Sequence, residues 1–113
     1  MNEIFGIGVD IVDINRFKNM DYKNNKKFYQ KIFLDSEIEY CLKFKNSEQH
    51  FAGKFAIKEA VKKSLTKSID FLEIITAHKD SRPIISLKIQ NNYKFFVSVS
   101  HEKDYAIAIV IVQ

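Results

Sequence analysis

Asp10 closes the segment Gly6-Ile7-Gly8-Val9-Asp10. A carboxylate at the end of a half-buried strand must find a cation or hydrogen-bond donors. The two glycines on its own strand face clear room for something to approach the backbone closely. Asp10 therefore reads either as a strand-end aspartate that caps or meets a lysine, or as a metal ligand. Glu59 and Lys63 stand one helical turn apart in Phe55-Ala56-Ile57-Lys58-Glu59-Ala60-Val61-Lys62-Lys63. At ~100° per residue, Phe51, Ala52, Phe55, Ala56 and Ala60 define one apolar arc. Glu59 falls near its middle, with Lys63 beside it. Charges placed there are costly unless paired or liganded, and an i,i+4 surface ion pair is the ordinary alternative. Ser100 and His101 end the segment Val97-Ser98-Val99-Ser100-His101. Adjacent on a strand, they point to opposite faces and do not form a nucleophile–base pair. With no G-x-S-x-G elbow present, serine-hydrolase chemistry is disfavoured. His101 reads as a structural histidine or as a hydrogen-bond donor to phosphate.

The elements that must position these residues read as one domain over residues 1–113, with no repeat, linker or low-complexity tract. Residues 4–12 alternate as a strand, with Phe5, Ile7, Val9 and Ile11 on one face and Gly6, Gly8 and Asp10 on the other. Asp13 reads as the N-cap of a short helix through Met20. Helical segments follow from Lys23 to Phe44, with Ser36-Glu37-Ile38-Glu39 as a capping box. Ser47 caps a longer helix from Glu48 to Leu65, where Ile57, Val61 and Leu65 add a second apolar stripe. Its row Lys54, Lys58, Lys62 reads as a solvated face. Residues 71–77 and 84–89 pair as strands, and 95–100 with 105–112 form a second hairpin. The run Ala106-Ile107-Ala108-Ile109-Val110-Ile111-Val112 is apolar throughout, so helices or a neighbouring subunit must cover both of its faces. A strand, several helices and then two antiparallel hairpins make an α+β domain.

Composition narrows the field. The chain has 113 residues, 46% of them hydrophobic, which fits an ordinary globular domain. A domain so small builds deep clefts with difficulty, which favours a site shared between subunits. The net charge of +4 suits an anionic partner. The lone Cys41 excludes an internal disulfide and reads as a small buried hydrophobe. No segment approaches the ~18 consecutive apolar residues of a membrane helix. Asp10 and Asp13 interrupt any leader-like apolar run, so a cytoplasmic location without membrane attachment is expected. A basic RNA-binding or scaffold domain is the rival class. Two carboxylates would be liabilities at such a surface without a metal, and the strands lack an R-G-F-G-F-like aromatic signature, so no nucleic-acid partner is expected.

Three segments together resemble the holo-(acyl-carrier-protein) synthase family of 4′-phosphopantetheinyl transferases, in its small trimeric form. Gly6-Ile7-Gly8-Val9-Asp10-Ile11-Val12 with Arg16 resembles the first motif. Phe55-Ala56-Ile57-Lys58-Glu59-Ala60 with Lys63 resembles the central F-x-x-K-E-A-x-x-K motif, and Ser98-Val99-Ser100-His101 before Tyr105 resembles the terminal one. The order and spacings agree along the whole chain.

The resemblance implies transfer of 4′-phosphopantetheine from coenzyme A to a serine of apo acyl carrier protein, in support of fatty acid biosynthesis. It implies that Asp10 and Glu59 hold Mg²⁺ against the coenzyme's pyrophosphate and that Lys63 neutralises phosphate charge. Arg82, Pro83, Ser100 and His101 would contact the coenzyme, His101 serving a neighbour's site in a homotrimer, and Arg16 would face the acidic carrier protein. Mg²⁺ suits such a set, because it is commonly held by one or two carboxylates plus phosphates and waters. The incoming serine hydroxyl needs a base, for which Glu59, directly or through a metal-bound water, is one candidate. Two departures stand out. Leu65-Thr66-Lys67-Ser68 replaces a Gly-Thr-Gly-like turn, and Ser81-Arg82-Pro83 replaces Gly-Lys-Pro while keeping the cation and the proline.

Overall fold

A computed structural model describes residues 6–113 of the chain. The expected strand residues Ile4 and Phe5 lie outside them. Strand β1 (Gly6–Asp13) leads into α1 (Asn15–Asn19), a 3₁₀ turn at Tyr22–Asn24, α2 (Lys26–Gln30), α3 (Asp35–Leu42) and the long α4 (Ser47–Ser64). A second 3₁₀ turn at Phe71–Glu73 opens the hairpin of β2 (Ile74–Lys79) and β3 (Arg82–Leu87), and β4 (Phe95–His101) and β5 (Tyr105–Val112) complete the chain. This is the expected α+β domain. Strand β1 joins the second hairpin in an antiparallel sheet of order β1-β5-β4, while β2 and β3 form a separate two-stranded sheet.

Helix α4 is the spine of the domain. Its residues from Phe51 to Lys58 are all buried. Backbone meets backbone where β1 crosses it: a Cβ on Gly6 would fall 1.8 Å from the Ser64 carbonyl oxygen, and one on Gly8 would fall 2.0 Å from that of Ala60. Only glycine permits this approach. On another side of α4, the rings of Phe17, Tyr29, Phe33 and Phe51 pack edge-on or tilted, apart from the stacked pair of Phe17 and Phe51. Cys41 is fully buried, and burial pushes its thiol up to about 12, so it stays protonated and acts as the expected hydrophobe.

Several local expectations need correction. Helix α1 starts at Asn15, and Asp13 instead accepts the Asn15 N–H at 2.9 Å in a turn before it. The carboxylate that caps α3 is Glu37, which accepts the Leu34 N–H at 2.7 Å, because the helix begins one residue before Ser36. Helix α4 includes Ser47 and ends at Ser64. The 3₁₀ turn takes residues 71–73 out of the expected strand. The lysine row is the largest correction: Lys54 and Lys58 are 4% and 0% exposed. On the helical wheel Lys54 falls within the second apolar stripe and Lys58 between that stripe and the first, and such positions leave no solvated face.

Among the described residues, strand β5 is covered on one side only. Ala106, Ala108, Val110 and Val112 are buried against α4, whereas Ile107 and Ile109 remain exposed. Ile7, Val9 and Ile11 of β1 and Phe96 of β4 are also exposed, each at least half accessible. Strand alternation places them on one continuous apolar face. Covering one such side chain is worth roughly 1.5–3 kcal/mol.

Candidate active site

The pleat of β1 turns Asp10 to the same side as Gly6 and Gly8, toward α4. Because Gly8 lies on Ala60, the next inward residue of β1 reaches the neighbouring turn of the helix. There Lys63 bends across, and its Nζ donates to Asp10 Oδ1 and to the Val9 carbonyl, both at 3.0 Å. Glu59 is one turn earlier on the same face of α4, half-buried, and makes no side-chain hydrogen bond among the described residues. Asp10, Glu59 and Lys63 are thus gathered where β1 meets α4.

The Asp10–Lys63 pair is not built for stability. The Lys63 side chain is 53% exposed and that of Asp10 15%, and exposed pairs contribute roughly 0–1 kcal/mol. Such an ammonium is free to leave its carboxylate for a phosphate oxygen. The donor set suits a hard cation, with two carboxylates from two elements and a lysine already supplying positive charge between strand and helix. No group of three or more His, Cys, Asp or Glu that could hold a metal occurs among the described residues. Two carboxylates alone would leave the remaining ligands of any bound metal to water and substrate, a coordination habit of Mg²⁺.

His101 is elsewhere. Asp10 pairs with Ala108, whose other partner is Val99, and His101 lies beyond Val99 on β4. Two strand spacings, roughly 10 Å, separate β1 from β4. His101 faces a cleft of ≈ 490 Å³ with Tyr40, His50, Lys54, His78 and Ser81, and no carboxylate among the described residues lines it. Burial lowers the His50 pKa from the ordinary value, and His101 and Lys54 lower it further.

The other predicted residues are also dispersed. Ser100 is exposed and, by alternation from His101, lies on the bare face of the sheet. Arg82 and Pro83 line a separate cleft of ≈ 590 Å³ between β3 and β4. The guanidinium of Arg16 sits 5.2 Å from the centroid of Phe55, one turn before Glu59, and forms no ion pair among the described residues.

A model of the 4′-phosphopantetheinyl transferase superfamily matches residues 6–110, from the first described glycine of β1 almost to the end of β5. The chain belongs to this superfamily. It is 41% identical over 111 residues to a holo-(acyl-carrier-protein) synthase of Thermodesulfovibrio yellowstonii, spanning 96% of this chain and 98% of that one. The fold is similar to the crystal structure of a holo-(acyl-carrier-protein) synthase from Bacillus anthracis in complex with CoA (3′,5′-ADP). The TM-score there is 0.83 at 30% identity, with 96% of each chain covered. The Helicobacter pylori holo-(acyl-carrier-protein) synthase in complex with coenzyme A gives 0.77 at 33%, covering 95% of this chain and 99% of that one.

Within the superfamily frame, sequence reasoning missed the inner side of α4. Lys58 donates to Glu37 at 2.6 Å, and Lys54 donates to Thr76 Oγ1 at 3.0 Å. The signal was present: a lysine flanked on the wheel by Phe51 and Leu65 has nowhere to go but inward.

Proposed function

We propose that this superfamily member is a Mg²⁺-dependent holo-(acyl-carrier-protein) synthase, transferring 4′-phosphopantetheine from coenzyme A to a serine hydroxyl of apo acyl carrier protein. The observation that carries this reading is the meeting of Asp10, Glu59 and Lys63 at the β1–α4 crossing. It occurs in a chain similar throughout to proteins crystallised with the coenzyme. The reaction would serve fatty acid biosynthesis in the cytoplasm. No helix among the described residues is long and apolar enough to cross a membrane.

Asp10 and Glu59 would hold Mg²⁺, which when bound offsets the repulsion between carboxylates and pyrophosphate and polarises the phosphorus. Lys63, leaving Asp10, donates to the pyrophosphate and stabilises the charge that grows on the departing adenosine 3′,5′-bisphosphate. The serine oxygen bonds to the phosphorus bearing pantetheine as the bridging P–O bond breaks, and the serine proton passes to Glu59 directly or through water. Arg16, exposed beside Phe55, would meet an acidic carrier protein.

The bare apolar sheet face supports a homotrimer with shared sites. His101 lies two strands from Asp10 in its own chain, and its cleft, which no carboxylate among the described residues lines, suits the phosphates of a coenzyme held by a neighbour. Ser100, Arg82 and Pro83 would contact the same coenzyme. Incubation with coenzyme A, Mg²⁺ and apo carrier protein should add one phosphopantetheine to the carrier's intact mass. No gain, with a working transferase alongside, would sink the reading.

A further inference from the structure

Lys58 adjoins Glu59 in the chain but points about 100° away from it around the helix. It is fully buried. Its ammonium makes three hydrogen bonds: to Glu37 Oε1 at 2.6 Å, to the Ile32 carbonyl at 2.8 Å and to the Phe71 carbonyl at 3.0 Å. Three protons meet three acceptors on three separate segments, which exhausts the donor capacity of a lysine. Glu37 is equally committed. Its Oε1 also accepts the Leu34 N–H at 2.7 Å, and its Oε2 accepts the Thr76 N–H at 2.8 Å and the Thr76 hydroxyl. Lys54, a turn earlier, donates to the same Thr76. One turn of α4 is thereby fastened to α3, to β2 and to both flanking loops.

Across the helix, about 200° from Lys58, Ala60 lies against Gly8. Glu59 occupies the flank between these two contacts and has no side-chain partner of its own among the described residues. Its direction therefore depends on the rotational setting of the helix backbone. A buried ion pair is poor evidence for stability, since desolvation offsets much of the attraction and an apolar pair often serves as well. Hydrogen bonds are directional, whereas apolar burial is not.

We propose that Lys58 is a positioning residue, fixing through Glu37, Ile32 and Phe71 the rotation of α4 that aims Glu59 at the Asp10 side of the site. The inference rests on the transferase reading above.

The test compares the full-length parent with Lys58→Met and Glu37→Gln/Lys58→Met. The readouts are melting temperature, Mn²⁺ binding followed by electron paramagnetic resonance with coenzyme A present, and kcat and KM for carrier protein. Lys58→Met strands the Glu37 charge and should lose both stability and kcat. The double variant should recover most of the melting temperature, yet keep kcat at least tenfold below the parent and bind Mn²⁺ about tenfold more weakly, with KM for the carrier unchanged. Parent-like kcat and Mn²⁺ binding in the double variant would make Lys58–Glu37 an ordinary core pair and overturn the proposal. Should the methionine variants not fold, Glu37→Gln decides. It puts an NH₂ group where either Lys58 or Thr76 needs an acceptor, so Mn²⁺ binding should weaken well below its melting temperature, and unchanged binding overturns the proposal. A parent that binds neither Mn²⁺ nor coenzyme A overturns the transferase reading as well.

Discussion

Lys63 reaches from α4 to Asp10 on β1, with its Nζ 3.0 Å from the carboxylate, and this one exposed contact joins the two elements on which the site is built. The bond is weak in stability terms and lies beside a glutamate with no side-chain hydrogen bond among the described residues. It is therefore a resting arrangement that an incoming pyrophosphate can replace.

Asp10→Ala and Glu59→Ala should each lower kcat by roughly two to three orders of magnitude, the usual cost of losing a group that stabilises transition-state charge. EDTA should do the same to the parent. Melting temperatures should move by less than about 5 °C, because the Asp10–Lys63 pair contributes less than about 1 kcal/mol and Glu59 makes no side-chain hydrogen bond among the described residues. Near-parent turnover of either variant at limiting Mg²⁺ would remove that residue from the site.

Gly8→Ala places a methyl group 2.0 Å from the Ala60 carbonyl oxygen. Strand and helix must then separate. The expected cost is at least about 1–3 kcal/mol, as for an overpacked core, with turnover lost more severely than stability because Asp10 moves with β1. A variant that keeps the parent's melting temperature in a thermal scan would contradict the packing described.

Arg16 lies over Phe55 with no acidic partner among the described residues. Its contact with the ring is worth about 0.5–1 kcal/mol at an exposed position, so Arg16→Ala should fold nearly as well as the parent. It should lower kcat/KM for the carrier protein and leave coenzyme A affinity unchanged, and salt should narrow the gap by screening. Equal damage with both substrates would end the docking role.

Asp10, Glu59 and Lys63 were legible because strand alternation and helical spacing are local properties, and Gly8 announced the close approach beside Asp10. Capping residues shifted by a residue or two, from Asp13 into the chain that precedes α1 and from Glu39 to Glu37, as helix boundaries commonly do. The burial of Lys54 and Lys58 does not follow from their i,i+4 spacing alone, but from the apolar stripes around them. The distance of His101 from Asp10 was not legible at all. It follows from the order β1-β5-β4, which long-range pairing decides. The bare face of Ile7, Val9, Ile11, Ile107 and Ile109 was half legible: the all-apolar β5 demanded cover, and the fold shows which side lacks it.

His50 carries a pH signature. Burial chiefly, then His101 and Lys54, hold its folded pKa below the ordinary 6.5. Folding therefore releases protons from any His50 charged in the unfolded chain. Its contribution is complete above 6.5 and is lost as pH falls through the lower folded value. The melting temperature of the parent should thus drop on acidification below 6.5 more steeply than that of His50→Phe. Parallel curves would show that His50 does not contribute.

Under the proposed function, one chain would hold Asp10, Glu59 and Lys63 while His101 would complete the site of a neighbour. Inactive His101→Ala and inactive Glu59→Ala chains, mixed in equal amounts under conditions that allow subunit exchange, test it by the rate of holo carrier protein formation. In a closed ring with one site per interface, random mixing leaves about a quarter of the sites intact, so activity should return to about that fraction of the parent's. No recovery, with exchange demonstrated by native mass spectrometry, would put both residues in one subunit's site and contradict the account.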